Sequence, residues 1–471
     1  MTLINIVHKN YYRLPNWMIN SAGALYNKIP EIMRYGEVYK ETRKLLNTTE
    51  YLSEPQICEI NNALFLKTVH HAYNHVPFYR NKYNEYGVDI DAIKDIRDIQ
   101  LLPTISKEDL RIHKNEMIAD DYDKSRLMYI TTSGSTGNPV GFYQEANMTM
   151  KEWAYTLHIW SRVGYKQDSS RLVLRGKKIH PKSPDPDLFF DPLRKELSCN
   201  IFNMTDETMG KYCLAIEKYK PQFIHGYMSS ILMLSRYIEA RGKKLDHQFE
   251  GILATSETII KEQRQYIERV LNTRIFSFYG HSERLIIAGE CEKSSSYHIE
   301  PLYGYCEIID QKGEISSKGE IIATGFLNEA MPLIRYHTGD MAAWDECLSC
   351  SCGRKHLRIS EVLGRWNQDM LVNAEGTYIS MTALNIHSSD FDKLIRYKLI
   401  QYKPGEVYMK IMSGDLFTSA DALKIKRLLE YKTDKKIDFI IEVVADLPIQ
   451  KNGKYKIVEQ HIELGNGQCE I

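Results

Sequence analysis

Between residues 125 and 280, short apolar and β-branched runs alternate with longer stretches whose apolar positions recur at helical spacing. Leu127–Thr131, Arg171–Leu174, Phe223–Gly226, Gly251–Ala254 and Arg274–Tyr279 read as strands. Asn147–Val163, Asp206–Tyr219, Ser230–Arg241 and Ile260–Leu271 read as helices. This strand-then-helix rhythm predicts a parallel sheet covered by helices. Ligands of such sheets sit beyond the carboxyl ends of the strands, where the segments holding Ser133, Ser256 with Glu257, and Tyr279 all fall. Residues 1–120 read as largely helical, with periodic runs such as Ile57–Tyr73, and are expected to wrap a larger domain. Within them, residues 12–30 have the pattern of an amphipathic helix, read as packed on the protein's own core in preference to a membrane surface.

After residue 300 the pattern becomes strand and turn, as in Tyr305–Ile315 and Gly319–Gly325, which predicts an antiparallel subdomain. A last unit from Gly364 reads strand, strand, helix, strand, strand, helix, strand, a small α+β domain that ends in the loop of Lys454. The fold class expected is therefore α/β, with a large N-terminal domain over residues 1–363 and a small α+β lid over residues 364–471. A chain of 471 residues is too long for one ordinary core, which fits this division.

Charge and composition narrow the partners. Lys plus Arg and Asp plus Glu number 61 each, so nothing in the overall charge favours nucleic acid or an anionic membrane. No run approaches the roughly 18 apolar residues of a membrane span, and the first residues lack the pattern of a signal peptide. The expected location is cytoplasmic. Nine cysteines, odd in number and unevenly spread, argue against a disulfide framework. The group Cys347, Cys350 and Cys352, with Cys291 and His298 some fifty residues before it, instead has a spacing that suits tetrahedral zinc, against the alternative of chance proximity. A nucleic-acid-binding zinc ribbon is the rival reading, but its basic surroundings are thin.

The chemistry-bearing motifs begin at Thr131–Pro139. Here Ser133, Gly134, Ser135, Thr136 and Gly137 make a hydroxyl- and glycine-rich loop after an apolar run. Glycines let backbone N–H groups turn inward toward an anion, and hydroxyls add donors, so the loop suits phosphate; a plain surface turn is the alternative. It is not a Walker A loop, because no Lys-Ser or Lys-Thr follows at the required spacing. Downstream come Phe278–Glu283, Arg335–Asp340, Gly364-Arg365 and Pro448–Lys454. Taken in order from residue 131 to residue 454, these motifs resemble the adenylate-forming superfamily of acyl-CoA synthetases, peptide-synthetase adenylation domains and luciferases. Ala72–Arg80 and Leu102–Lys107 look more narrowly like the phenylacetate–CoA ligase branch, and Asp369–Gly376 like relatives from capsular-polysaccharide gene clusters.

The resemblance implies an AMP-forming ligase. A carboxylate is a poor acyl donor until attack on the α-phosphorus of ATP gives it a good leaving group. The 133–137 loop would hold the departing phosphates. Tyr279 would stack on adenine, with Gly280 and His281 beside it and Ser256 and Glu257 near the base. Ser282 would donate to the α-phosphate and Glu283 would bind Mg²⁺. Asp340 would accept the ribose hydroxyls, Arg365 would assist from the hinge, and Lys454 would offset charge at the reacting centre when the lid closes. The hinge departs from the family's Gly-Arg-x-Asp-Asp, since this chain has Gly364-Arg365-Trp366-Asn367-Gln368-Asp369. The same resemblance selects Cys291, His298, Cys350 and Cys352 as structural zinc ligands, with Cys347 to spare.

Expected partners are a small carboxylic acid and an acyl acceptor. One version transfers the acyl group within surface or capsular polysaccharide biosynthesis; the alternative is an aryl- or acyl-CoA ligase that uses coenzyme A. A reading of another class is a catalytically silent adenylate-binding scaffold, against which the joint presence of Glu283, Asp340 and Lys454 argues. The acid is expected between the segments around Arg175–Ile179, His225–Tyr227 and Tyr279–Arg284, with Arg175 or Lys177 suggesting a polar acid.

Overall fold

The computed structural model describes residues 26, 29, 31–131, 140–177, 179–180, 183–347, 349–363, 370–384, 388–391, 393–413, 417–447 and 457–462. The phosphate-loop residues Ser133, Gly134, Ser135, Thr136 and Gly137, the hinge residues Gly364 and Arg365, Lys454 and most of the amphipathic stretch 12–30 lie outside them.

Residues 31–112 carry the helices α1 (Glu31–Tyr35), α2 (Glu37–Thr49), α3 (Glu54–His75), α4 (Pro77–Glu85) and α5 (Lys107–Ile112). Local chemistry sets their ends. Ser53 and Gln56 form a capping box ahead of α3, the Ser53 N–H donating to Gln56 Oε1 at 3.0 Å. Pro77 ends α3, because the residue before a proline is driven from helical geometry; Val76 sits at φ −111° and ψ 107°. The same proline opens α4 at its first turn, where its missing N–H costs nothing.

A 12-stranded sheet organises most of the remainder. After the hairpin β1 (Met128–Thr131) and β2 (Gly141–Gln144) come α6 (Met148–Ser161), β3 (Arg171–Leu174), β4 (Leu188–Asp191), β5 (Glu196–Cys199), α7 (Asp206–Tyr219), β6 (Phe223–Gly226), α8 (Met228–Ala240), β7 (Gly251–Ala254), α9 (Lys261–Leu271) and β8 (Ile275–Gly280). They lead into β9 (Ile287–Gly289), β10 (Tyr297–Ile299), β11 (Gly304–Ile309), β12 (Lys318–Gly325), β13 (Tyr336–Trp344) and β14 (Arg358–Leu363). The order across the sheet is β11-β12-β13-β14-β10-β9-β8-β7-β6-β3-β5-β4. From β5 through β3, β6 and β7 to β8 the pairing is parallel; from β8 to β11 it is antiparallel, and β4 adds an antiparallel edge.

Two expectations need correction. The strand at Leu127–Thr131 does not join the parallel sheet: β1 pairs antiparallel with β2 in a two-stranded sheet of its own. The antiparallel strands after residue 300 are not a separate sheet either. They continue the parallel one through β8, whose Ile275–Ser277 pair with β7 and whose Phe278–Gly280 pair with β9. Local periodicity reports a strand but not its partner, so neither error was detectable from patterning alone.

The C-terminal residues form β15 (Met370–Val372), β16 (Tyr378–Ser380), α10 (Met381–Leu384), β17 (Leu394–Lys403), β18 (Glu406–Ser413), α11 (Ser419–Lys432), β19 (Asp438–Val443) and β20 (Val458–Gln460). A four-stranded sheet of order β19-β18-β17-β20 packs on α11 through Ile425, Leu429 and Phe439. Asn373 Nδ2 donates to the Phe202 carbonyl at 2.8 Å and Lys436 Nζ to Asn203 Oδ1 at 2.7 Å, joining this unit to the segment after β5.

Buried charge ties the N-terminal helices to the antiparallel half. Glu50, just past α2, accepts from Arg354 Nε at 2.7 Å and lies 3.5 Å from Arg162 Nε, while Arg162 also pairs with Glu300. His158 on α6 is buried beside Glu50, with neither ring nitrogen in hydrogen-bond reach of a partner among the described residues. Burial, helped by the Arg162 and Arg43 cations and opposed by Glu300, depresses its pKa to about 4. In the unfolded chain a histidine titrates near 6.5, so between about 6.5 and about 4 the unfolded state binds a proton that the folded state refuses. This contribution to stability is complete above pH 6.5 and declines as the pH falls. Denaturant unfolding should therefore lose roughly 1 kcal/mol more between pH 7 and pH 5.5 in the unmutated protein than in His158→Asn. Equal losses in the two proteins would refute the assignment.

Candidate active site

Tyr279 and Gly280 end β8 where the sheet changes from parallel to antiparallel, and the turn that follows carries His281, Ser282 and Glu283. Asp340 reaches the same place from β13. Tyr279 Oη donates to Asp340 Oδ2 at 2.8 Å, so the residue expected at adenine and the residue expected at ribose are hydrogen-bonded to one another. Burial, reinforced by the Asp340 carboxylate, pushes the Tyr279 phenol well up, which keeps it a donor at neutral pH.

Glu283 is held from two sides. His281 Nδ1 lies 3.2 Å from its Oε2, and Tyr336 Oη donates to Oε1 at 3.3 Å. Burial would raise its pKa, but the His281 hydrogen bond and charge, a backbone N–H and Lys107 overcome it and lower the carboxyl to about 2. An ionised carboxylate is the donor a hard divalent cation takes, so Glu283 fits the magnesium role. Ser282 is half-buried beside it.

The backbone here leaves its usual regions. Arg284 has φ 56°, Arg335 φ 52° and Ser256 φ 65°, all left-handed and without glycine. Side chains hold two of them in place. Arg284 Nη1 donates to Gln144 Oε1 at 2.8 Å and its Nε lies 2.5 Å from Glu152 Oε2. Arg335 grips Glu307 through Nε at 3.1 Å and Nη2 at 2.9 Å, and donates to the Leu102 carbonyl at 2.6 Å. The loop before Asp340 is fixed by Glu320, which takes the Gly339 N–H at 2.8 Å and meets His337 Nδ1 at 3.1 Å.

Glu257 is held by the start of α8. Its two carboxylate oxygens accept from the Ser229 N–H at 2.8 Å and the Ser229 hydroxyl at 3.0 Å, at the first turn of α8. There the carboxylate satisfies a helix-end donor and faces the positive end of the helix dipole. Beyond the ends of β3 and β6, Arg175 Nη1 lies 3.4 Å from His225 Nε2, and its guanidinium stands over the Tyr227 ring at 5.4 Å. Burial, with Arg175 and Arg171 nearby, holds His225 neutral, far below its ordinary pKa. Lys177 is engaged by Glu196 at 2.8 Å, which leaves Arg175 as the better placed of the two cations proposed for the acid.

A second centre lies across the sheet. Cys291, His298, Cys350 and Cys352 bring their ligand atoms within 4.8 Å of one another. Cys291 and Cys350 Sγ are 3.7 Å apart, as are Cys352 Sγ and His298 Nε2. Burial pushes the Cys291 thiol up to about 12; Cys352 is also penalised by burial, yet hydrogen bonds from Arg354 draw it below the usual thiol range. Cys347 is exposed and outside the group. Three thiols and a buried imidazole at these separations fit a tetrahedral, borderline-soft ion.

Reading the sequence missed Tyr336, Ser229, Glu320 and Arg284. Tyr336 lay inside a quoted motif, but its bond to Glu283 depends on β13 returning beside the β8 turn, and Ser229 carried no local signal at all.

Comparison with known proteins places the chain in context. It is 24% identical to protein CapK of Staphylococcus aureus over 456 residues, 95% of this chain and 97% of that protein. It is 28% identical over 346 residues to a phenylacetate-coenzyme A ligase of Pseudomonas putida, covering 70% of this chain and 75% of the ligase. Residues 371–461 match the family described as the CapK C-terminal domain. Its fold is that of 2-hydroxyisobutyryl-CoA ligase in complex with 2-HIB-AMP and CoA, at 16% identity and a TM-score of 0.55 over 88% of this chain and 92% of that one. The chain thus shares its fold with a CoA ligase and is a relative of phenylacetate-coenzyme A ligases. Its likeness to CapK runs over nearly the whole of both chains. No helix among the described residues is long and apolar enough to cross a membrane.

The Glu257 geometry separates two roles by experiment. Glu257→Gln should lower unfolding stability by about 1 kcal/mol through the weakened α8 terminus. A variant with unchanged stability but weakened nucleotide binding would put Glu257 at the base and not at the helix.

Proposed function

We propose that the chain activates a small carboxylic acid with ATP and passes the acyl group to an acceptor in surface or capsular polysaccharide assembly. The observation that carries this reading is the convergence of Tyr279, Glu283 and Asp340 at the seam of the sheet. In the first half-reaction an oxygen of the acid attacks the α-phosphorus of ATP, and the bond to the β-phosphate oxygen breaks to release pyrophosphate. In the second, the acceptor's nucleophile attacks the acyl carbonyl and AMP leaves with the bonding pair. Magnesium at Glu283 would supply charge neutralisation for the phosphates. Asp340 would take the ribose hydroxyls once Tyr279 turns its own hydroxyl away, and Ser282 would donate to the α-phosphate.

In this reading residues 1–363 are the adenylating domain and residues 364–471 the lid, with Arg365 at the hinge and Lys454 brought in by closure. Gly280, His281, Ser256 and the 133–137 loop complete the nucleotide site, and the protein works in the cytoplasm. The resemblance of Asp369–Gly376 to relatives from capsular-polysaccharide gene clusters supports an acceptor other than coenzyme A; the ligase relatives favour coenzyme A as the alternative. Pyrophosphate release measured against a panel of acids, with and without coenzyme A, tests both. No release with any acid would favour a silent scaffold.

Two variants dissect the site. Asp340→Ala should weaken ATP binding by about 1–3 kcal/mol in calorimetry, the scale of lost charge-assisted hydrogen bonds. Lys454→Ala should leave ATP binding nearly intact and slow adenylate formation at least about a hundredfold, with transfer from a supplied acyl-adenylate much less affected. Equal damage to both half-reactions, or to neither, would remove Lys454 from the mechanism.

Cys291, His298, Cys350 and Cys352 would hold one structural zinc ion per chain, which would tie the segment after β9 to the loop before β14. Elemental analysis of the purified protein should find about one zinc, and Cys352→Ser should lose it together with much of the stability. Metal-free protein with all of these thiols freely titratable would contradict the site.

A further inference from the structure

His71 and His75 lie one helical turn apart at the end of α3, on the same side of the helix. Their ring nitrogens and a carboxylate oxygen of Asp121 come within 4.8 Å of one another. Histidine and aspartate often meet on protein surfaces, so proximity alone decides nothing. The surroundings add direction. His71 Nε2 is 2.9 Å from the Glu329 carbonyl oxygen, which can only accept; that nitrogen therefore carries the proton, and the lone pair sits on Nδ1. Metal-binding imidazoles are oriented in this way, their second nitrogen donating to a carbonyl or a carboxylate. His75 Nδ1 lies 3.1 Å from Asp120 Oδ1 and 3.9 Å from Asp121 Oδ2, a donor to carboxylate whose proton an ion bound at this nitrogen would displace.

The loop that carries the carboxylates is also built in place. The Asp120 N–H donates to the His75 carbonyl at 2.8 Å, and the Ala119 N–H to the Ala330 carbonyl at 2.9 Å. Asp121 is thus held beside the helix end without the entropy cost of ordering a free loop. Ligands of a tetrahedral ion stand about 3.4 Å apart, given bonds near 2.1 Å. The exposed Asp121 side chain would have to rotate to close the remaining distance.

We propose that His71, His75 and Asp121 bind a divalent transition metal ion, separately from the cysteine cluster. Two imidazoles and one carboxylate select borderline ions such as Zn²⁺, Co²⁺, Ni²⁺ or Cu²⁺, whereas Mg²⁺ and Ca²⁺ require oxygen ligands. Three protein ligands on a half-exposed surface leave positions for water, so the ion is exchangeable. It clamps the end of α3 to residues 119–121 and, through the His71 ring, to the Glu329 carbonyl. That strand-ward segment runs on to Arg335 and Asp340. The assignment stands independently of the adenylation reading.

Cobalt distinguishes this site from the cysteines. Full-length protein titrated with Co²⁺ alone should develop visible ligand-field bands of a nitrogen–oxygen site, apart from the near-ultraviolet sulfur-to-cobalt charge transfer that thiolates give. His75→Ala should weaken the nitrogen–oxygen component at least about tenfold and leave the sulfur component unchanged. Asp121→Asn, an exposed and nearly isosteric change, should act in the same direction and guards against a misfolded histidine variant. A spectrum with sulfur character only, or a nitrogen–oxygen component equally strong in His75→Ala and Asp121→Asn, would overturn the site.

Discussion

One six-residue strand carries the joint between the two halves of the sheet. β8 pairs in parallel with β7 over Ile275–Ser277 and antiparallel with β9 over Phe278–Gly280, so it changes partners in mid-course. Everything at the candidate site depends on that exchange. A slip of one residue would turn Tyr279 to the opposite face of the sheet and leave Asp340 without its donor. Glycine at 289 is part of the same constraint, since a Cβ there would lie 2.3 Å from Ile159 Cγ2, closer than any side chain allows. The helix α6 can lie against β9 because that position carries no side chain.

Around the joint, acidic groups divide into those that hold the scaffold and those that face the cleft. Glu307 is consumed by Arg335, Glu320 by the Gly339 N–H and His337, and Glu257 by Ser229. Each removes a donor from competition and fixes a stretch of backbone that would otherwise move. Glu283 and Asp340 differ in meeting tyrosine hydroxyls, those of Tyr336 and Tyr279, with the His281 ring beside Glu283.

Much of this was legible in the sequence because it is locally encoded. Arg171–Leu174, Asp206–Tyr219, Phe223–Gly226 and Gly251–Ala254 were located to the residue, since strand and helix periods change sharply there. Motif order brought Tyr279, Glu283 and Asp340 together as a group, and cysteine spacing brought Cys291, His298, Cys350 and Cys352 together as another. What remained hidden depends on pairing between distant segments. The β4–β5 hairpin escaped because Leu188–Asp191 is too short to show alternation, and β1 looked like its parallel neighbours because its partner β2 follows a glycine-rich loop with no strand signal of its own. Tyr336 and Ser229 gained meaning only once the strands returned beside them.

The docking of the N-terminal helices also says something about how the chain is made. Tyr79 Oη donates to the Pro332 carbonyl at 3.1 Å across a separation of 253 residues, and Arg354 meets Glu50 across 304. On the ribosome these helices emerge well before the surface they bind. At about 5–20 residues per second, they wait on the order of ten to fifty seconds with apolar faces uncovered. Early synthesis thus produces an amphipathic segment that cannot complete itself.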